Sequence, residues 1–142
     1  MPVGKKVIII GSGLHGIELA EFLVRRKRNV TIIDTSPKPG EGMLDLHRYR
    51  VIGWLINKGV AFHNEIKSLE ITKKGVVFQT GEKVSQNIMA DTIIVTQSLE
   101  SNTMINKLFE GKAPEIYLVG DCREPGMIVD AIADGWRIAK NL

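Results

Sequence analysis

Apolar residues along this chain follow two patterns: short unbroken runs of β-favouring residues, and stretches in which they recur every three or four positions. The unbroken runs are typical of buried parallel strands, and the three-to-four spacing is typical of helices that bury one face. The predicted buried strands are 6–10, 30–33, 60–63, 92–96 and 116–119. The predicted helices start at Leu14, Leu44 and Met127.

A third group of short β-favouring segments lies between residues 66 and 89. Turn-forming residues, Lys73-Lys74-Gly75 and Gly81-Glu82, separate them, which predicts a small antiparallel meander. The strand-helix-strand order of the first elements requires parallel pairing with a crossover helix. We therefore predict an α/β, Rossmann-like fold in three layers, a parallel sheet of order 3-2-1-4-5 with helices on one face and the meander on the other.

A glycine-rich turn joins the first predicted strand to the first predicted helix. The sequence of residues 7–23, VIIIGSGLHGIELAEFL, places Gly11, Gly13 and Gly16 in the spacing G-x-G-x-x-G. In a dinucleotide-binding unit the first glycine makes the tight turn, the second lets the backbone approach a pyrophosphate, and the third lets helix and sheet pack closely. Amides of residues 12–15 are then expected to meet the phosphates at the helix N-terminus.

An acidic residue follows the second predicted strand, where such a fold binds the adenosine ribose. Asp34 comes 18 residues after Gly16, and its carboxylate is placed to accept hydrogen bonds from both ribose hydroxyls. The same charge would oppose a 2′-phosphate, which favours NAD or FAD over NADP. Near this site, His15 is either a neighbour of a phosphate or only a helix surface residue.

Composition narrows the class of protein. A chain of 142 residues with 44% apolar residues fits one globular domain, and the net charge of +3 is spread along it. The one dense basic run, residues 25–28, falls at a predicted helix end, which favours a helix-dipole role over nucleic-acid binding. The single Cys122 excludes an internal disulfide or a Cys-x-x-Cys redox pair, and the histidines lack metal-ligand spacing. No apolar run is long enough to span a membrane, so we expect a cytoplasmic protein.

A second motif carries a family resemblance. Residues 116–124, IYLVGDCRE, form a predicted strand that ends in Gly120 and Asp121. Together with the glycine-rich turn, GEKVSQNIMADTIIVTQSLESN and VGDCREPGMIVDAIADG, this motif resembles the two-dinucleotide-domain flavoproteins. The nearest resemblance is to the C-terminal region of old-yellow-enzyme-like NADH:flavin oxidoreductases, the 2,4-dienoyl-CoA reductase and enoate reductase group.

The resemblance implies one dinucleotide-binding domain over residues 1–142, with an NAD(P)-binding part at 1–112 and the end of a flavin domain at 113–142. It implies that the glycine-rich turn and Asp34 bind NAD(H), while Asp121 meets the ribityl or phosphate part of FAD. Ser98 stands where the family usually has glycine. The residues predicted to contact a dinucleotide are Gly11, Ser12, Gly13, Leu14, His15, Gly16, Asp34, Thr35, Thr96, Gln97, Gly120 and Asp121.

Three functions follow from these motifs. The first is the NAD(H)-binding portion of a flavin-dependent oxidoreductase, in which the nicotinamide passes a hydride to flavin and no residue of this chain acts as acid or base. The second is a self-contained FAD-binding module, and the third is a non-catalytic binding or scaffolding module. Because the FMN-containing barrel of the family is missing, we expect an excised or naturally isolated segment, incomplete as an enzyme, whose partner is that barrel domain or subunit. Alone, it is expected to be a monomer or a weak dimer.

Overall fold

A computed structural model describes residues 2–81, 84–96 and 99–141. The chain divides into two compact units, residues 1–97 and residues 98–142. Among the described residues, the strands lie in the first unit, and the second holds two helices and a short 3-10 turn. The assignment of residues 1–112 to an NAD(P)-binding part and of residues 113–142 to the end of a flavin domain stays a prediction.

The first unit contains two sheets and two helices. Four strands form a parallel sheet of order β3-β2-β1-β7, and three strands form an antiparallel sheet of order β4-β5-β6. The elements are β1 (Lys6–Ile10), α1 (Leu14–Arg25), β2 (Asn29–Ile33), α2 (Asp45–Asn57), β3 (Ala61–His63), β4 (Ser68–Thr72), β5 (Gly75–Gln79), β6 (Ser85–Met89) and β7 (Thr92–Val95). The α/β fold, the parallel sheet and the separate meander are confirmed.

The central strand β1 explains why three layers form. Successive side chains of a strand point to opposite faces, so an unbroken apolar run supplies two cores at once. Val7 and Ile9 pack in one cluster with residues of α1 and α2. Ile8 and Ile10 pack in a second cluster with residues of the meander, among them Phe78. The helices and the meander therefore cover opposite faces of the parallel sheet, as predicted.

The strand register brings three loops together at one edge of the sheet. Ile10 pairs with Ile33 of β2 and with Val95 of β7, so the three strands end at the same level. Because parallel strands share their carboxyl edge, the residues that follow them are neighbours. This register places the glycine-rich turn, Asp34 and Thr96 side by side.

The second unit departs from the sequence prediction. It consists of α3 (Ile105–Phe109), a 3-10 turn (Gly120–Cys122) and α4 (Ile128–Ala139). Residues 116–119, predicted as the fifth strand of the sheet, are not a strand, so the order 3-2-1-4-5 is correct only for its first four members. An apolar run becomes a strand only when it finds a pairing partner, and the described residues of this unit include no other strand. Within the described ranges, no helix is long and apolar enough to cross a membrane.

Candidate functional site

Two glycines of the glycine-rich turn are required by the protein's own packing. Gly11 has φ +114°, a left-handed conformation that favours glycine, and its N–H donates to the Ile33 carbonyl at 2.9 Å. A Cβ on Gly11 would lie 2.8 Å from Thr96 Oγ1. A Cβ on Gly16 would lie 2.0 Å from the carbonyl oxygen of Gly11, which no side chain tolerates. The predicted roles of the first and third glycines, tight turn and close helix packing, agree with these contacts.

The second glycine, Gly13, is different, because no contact with the described residues and no backbone angle requires glycine at this position. Gly13, the residue before α1, has φ −67° and ψ −174°, which any L-residue adopts. A Cβ there would meet only the Glu41 carbonyl oxygen, at 3.9 Å. The missing side chain leaves open space directly over the N-terminus of α1, which is where a ligand could approach the backbone.

The amides around this open space fall into two groups. The Ser12 N–H donates to the Asp34 carboxylate, and the Leu14 N–H donates to the Glu41 carbonyl at 3.2 Å. No described residue accepts a hydrogen bond from the N–H of Gly13, His15 or Gly16. The amides of Ser12 and Leu14 thus have acceptors within the chain, and contact of the amides near residues 12–15 with phosphate stays a prediction. The remaining amides and the helix dipole give the N-terminus of α1 the polarity that suits an anion.

Asp34 is bound to the glycine-rich turn. Its Oδ2 accepts hydrogen bonds from the N–H and from the buried hydroxyl of Ser12, the latter at 2.7 Å. Its Oδ1 accepts the Ser36 N–H at 3.0 Å, while the Thr35 hydroxyl lies 3.5 Å away. Partial burial raises the pKa of Asp34, but the hydrogen bonds from Ser36 and Ser12, together with one from the backbone N–H of Thr35, outweigh it and hold the pKa below its ordinary value. The carboxylate is charged at neutral pH.

The loop after Asp34 lies against the glycine-rich turn. The Gly40 N–H donates to the Ser12 carbonyl at 2.6 Å, and Gly40 has φ +77°. The Asn64 side chain fixes the same loop by donating to the Ser36 carbonyl at 3.0 Å. Sequence reasoning identified this segment only as a loop. Its contacts with Ser12 and Leu14 depend on a chain reversal that no local pattern specifies.

The other predicted contacts have varied surroundings. The Thr96 hydroxyl lies 3.1 Å from the Gly11 carbonyl and 3.3 Å from the Ile10 carbonyl, so it supports the turn from β7. Leu14 is half-buried and His15 is exposed on the first turn of α1. Gln97, together with Ser98, lies outside the described residues. That these residues contact a cofactor stays a prediction.

The Gly-Asp motif of the second unit forms a turn held by a carboxylate that the sequence analysis missed. Asp134 of α4 accepts hydrogen bonds from the Gly120 N–H at 3.2 Å and from Arg123 Nε at 2.6 Å, and it also binds Arg137. The hydrogen bond from Arg123 keeps the pKa of Asp134 below its ordinary value. Asp121 is left exposed, and its Oδ1 accepts the Gly126 N–H at 3.4 Å.

Comparison with known proteins places both motifs in one family. Residues 1–135 match the family described as pyridine nucleotide-disulphide oxidoreductase. The chain is 26% identical over 137 residues to an NADH oxidase of Thermoanaerobacter brockii, covering 95% of this chain and 21% of that protein. It is 27% identical over 137 residues to a rubredoxin-NAD(+) reductase of Acinetobacter baylyi, covering 84% of this chain and 35% of that protein.

A solved structure of 2-naphthoyl-CoA reductase in complex with 2-naphthoyl-CoA has the same fold. It matches 100% of this chain and 22% of its own, with a TM-score of 0.85 and 22% sequence identity. The chain thus spans about a fifth to a third of the length of the proteins it matches. Proteins of this kind use NAD(H) and FAD, the two cofactors predicted from the motifs. With the match extending from the first strand through the Gly-Asp turn, the chain belongs to the pyridine nucleotide-disulphide oxidoreductase family.

Proposed function

We propose that this chain is the NAD(H)-binding part of a flavin-dependent oxidoreductase and positions the nicotinamide for hydride transfer to a flavin. The observation that carries the proposal is the open space over Gly13, bordered by amides that have no acceptor among the described residues. A glycine that the fold does not need, at the N-terminus of a helix, fits a ligand whose backbone contact a side chain would block. A pyrophosphate has the charge and size for that place.

The geometry of Asp34 supports NAD(H) rather than NADP(H). A carboxylate offers about four acceptor positions, and Ser12 and Ser36 use three of them. A ribose hydroxyl would take the remaining position on Oδ1 in place of Thr35, whose hydroxyl lies 3.5 Å away and whose N–H also bonds the carboxylate. Since the depressed pKa keeps the carboxylate charged, a 2′-phosphate brought to the same place would be repelled.

The chemistry assigned to this chain is binding and orientation. A bound nicotinamide supplies the hydride. The amides of Gly13, His15 and Gly16 would hold the pyrophosphate, and Asp34 would fix the adenosine ribose. By fixing both ends of the adenosine diphosphate half, these residues would orient the cofactor at the carboxyl edge of the sheet. No proton needs to move to or from a residue of this chain.

The longer protein is proposed to supply the flavin. Because the chain matches about a fifth of the NADH oxidase, we infer that it is joined to, or assembles with, a flavin-containing barrel domain. We further infer that the Gly120–Asp121 turn contributes to an FAD site, with Asp121 facing the ribityl or phosphate part. Its exposed carboxylate borders an open depression of about 390 Å³ that also includes Gly126 and Met127. Membership of the 2,4-dienoyl-CoA and enoate reductase group is part of this proposal.

Calorimetric titration of the purified chain with NADH, NADPH and FAD tests the assignment, after its visible spectrum has been recorded. We expect NADH to bind at least about ten-fold more tightly than NADPH. Asp34→Asn should bring that ratio close to one. The matched control is Asp91→Asn, because Asp91 also accepts a backbone N–H, that of Lys6 at 2.8 Å, but at the opposite edge of the sheet. Equal affinity for NADH and NADPH in the parent chain would contradict the role of Asp34. A yellow protein that binds FAD in preference to NADH would favour the FAD module.

A further inference from the structure

The amino edge of the parallel sheet, where its strands begin, is rich in positive charge. Eight of the 19 lysine and arginine residues lie at this edge, although the net charge of the whole chain is only +3. Each is at least partly exposed, and none forms an ion pair with a carboxylate of the described residues. They are Lys5 and Lys6 at the start of β1, residues 26–28 before β2, Lys58 before β3, and Lys73 and Lys74 in the turn between β4 and β5.

Hydrogen bonds bring the meander turn to the start of β1. The Lys74 carbonyl accepts the Ala90 N–H at 3.1 Å. The next residue, Asp91, donates its N–H to the Lys6 carbonyl at 2.9 Å and accepts the Lys6 N–H on its carboxylate at 2.8 Å. On the other side of β1, Lys6 pairs with Asn29, the first residue of β2. The basic residues of the turn and of the first two strands are therefore neighbours, with one acid, Asp91, among them.

Helix ends explain only part of this charge. Arg26 and Lys58 directly follow α1 and α2, where a positive charge suits the helix dipole. Lys27 has φ +59°, the left-handed conformation in which glycine usually ends a helix, and its N–H donates to the Val24 carbonyl at 2.9 Å. Stability alone would favour glycine at this position. A lysine here, like Lys6 at the start of a strand, fits a need for its charge.

A groove lies at the same edge. It is an open depression of about 360 Å³, and Lys6, Asn29 and Thr31 line it from the parallel sheet. Asn87 and Met89 line it from β6. All these residues belong to the first unit, and the candidate dinucleotide site is at the opposite, carboxyl edge of the sheet. The groove is thus separate from the site already described.

One edge of β6 carries backbone groups that can still pair. Among the described residues β6 pairs only with β5, in a register that also aligns Ala90 with Lys74. Because hydrogen-bonded pairs alternate in an antiparallel ladder and the Ala90 N–H bonds to Lys74, residues 86 and 88 bond to β5. Asn87 and Met89, between and beyond them, direct their N–H and C=O groups outward. Such an edge can accept another strand.

We propose that this edge binds an extended acidic segment of a partner protein. The segment pairs with β6 as a fourth strand of the meander, and its carboxylates lie against the surrounding lysines and arginines. Backbone hydrogen bonds then supply affinity, and charge selects the segment. The geometry favours this partner over a membrane, because a flat surface does not enter a groove. It favours it over a nucleic acid, because the nearby Phe22 and Trp54 rings already have Arg26 and Arg25 over one face, at 3.5 and 4.9 Å, instead of being free to stack on bases.

Fluorescence anisotropy with a short labelled peptide of alternating glutamate and threonine tests the proposal on the purified chain. We expect a dissociation constant on the order of 10 to 100 µM at about 50 mM salt, rising about ten-fold or more at about 300 mM because salt screens surface charges. Lys6→Glu and Lys74→Glu should each weaken binding by about ten-fold. The matched control is Lys67→Glu, because Lys67 is also an exposed lysine of the meander but follows Ile66, whose N–H donates to the Asp34 carbonyl at the carboxyl edge. This control should bind like the parent.

A second pair of variants tests the strand pairing. Asn87→Pro removes an outward N–H and leaves the bonds to β5 in place, which an outer strand tolerates. It should weaken peptide binding by about five-fold or more, whereas Asn87→Ala, which keeps the N–H, should bind like the parent. Circular dichroism melts should show that these variants fold. A folded Asn87→Pro variant that binds like the parent would overturn the strand pairing.

Other results would overturn the proposal as a whole. A parent chain that fails to bind the acidic peptide would do so, as would one that binds a lysine-threonine peptide equally well. Lys6→Glu and Lys74→Glu variants that bind like the parent would show that the peptide does not use this edge. Tighter binding of a short single-stranded DNA, or of phosphatidylserine vesicles, than of the peptide would assign the edge to a different partner. Titration of the same variants with NADH should match the parent, so these outcomes are independent of dinucleotide binding.

Discussion

Two alanine substitutions in the glycine-rich turn, Gly13→Ala and Gly16→Ala, should impair different properties of the protein. Gly13→Ala adds a methyl group whose nearest neighbour is 3.9 Å away, in a backbone conformation that alanine adopts freely. Gly16→Ala adds the same group 2.0 Å from the Gly11 carbonyl oxygen and 2.9 Å from Thr96 Oγ1. We expect the first variant to fold and lose nucleotide affinity, and the second to lose stability.

The distances from each added methyl group to its neighbours determine the expected changes in stability and affinity. An ordinary contact begins near 3.4 Å, so the helix and turn would have to separate by roughly 1.4 Å in Gly16→Ala. Such overpacking costs about 3 kcal/mol or more, which lowers Tm by roughly 6–12 °C for a chain of this size. Gly13→Ala should change stability by less than about 1 kcal/mol. Its methyl group displaces a phosphate from at least one amide, and losing one such charge-assisted bond raises Kd about 10- to 150-fold.

The assay pairs thermal unfolding followed by circular dichroism with calorimetric titration of NADH. Gly135→Ala is the matched control, because it adds a methyl group to open space on α4 and should leave NADH affinity unchanged. A Gly13→Ala variant that binds NADH as the parent does would contradict the role of Gly13 in phosphate binding. A Gly16→Ala variant that melts at the parent temperature would contradict the packing role of Gly16, since the fold would then tolerate a contact that the structure forbids.

Two further predictions concern the same unit. Ser12→Ala removes the 2.7 Å hydrogen bond from the Ser12 hydroxyl to Asp34. We expect urea unfolding to show a free energy of unfolding lower by about 1.5 kcal/mol, and NMR titration to show a higher pKa of Asp34. The control Ser101→Ala, at an exposed serine, should show neither change. Burial lowers the pKa of His63 from 6.5, so the unfolded chain takes up its proton first and the free energy of unfolding should fall as pH drops through 6.5. His63→Phe should flatten that dependence in urea unfolding across this pH range. An unchanged slope would contradict the burial of the ring beside Phe78.

The parallel sheet was predictable because its signal is contained in the sequence of each strand. Residues 7–10 must be apolar at every position to serve two cores, whereas the meander strands alternate. Residues 116–119 show the limit of that signal. They have the composition of a buried strand, yet Tyr117 is half-exposed and the segment is unpaired within its unit. Apolar content reports a tendency to be buried, but pairing depends on a partner that the pattern does not specify.

In the candidate site, too, local features could be predicted from the sequence and contacts between distant segments could not. The glycine roles could be predicted because each is a local rule about a turn, a helix start or a close approach. The hydrogen bonds between Asp34 and Ser12 and between Leu14 and Glu41 join segments that are distant in sequence. No motif spacing in the sequence predicts them. Asp134 was missed for a related reason. An acid on an amphipathic helix is usually solvated, and only the structure shows Arg123 and the Gly120 amide bound to it.

The bonds between Asp34 and Ser12 make phosphate binding and ribose recognition one unit. The carboxylate that is proposed to distinguish NADH from NADPH also fixes the Ser12 amide, and thereby the direction of the open amides that follow it. Removing the carboxylate altogether, as in Asp34→Ala, would loosen the turn and weaken every dinucleotide, which hides its effect on specificity. Asp34→Asn keeps one oxygen acceptor and removes the charge. The ratio of NADH to NADPH affinity therefore reports the charge, while the absolute affinity reports the turn, and only together do they separate the two roles of this one side chain.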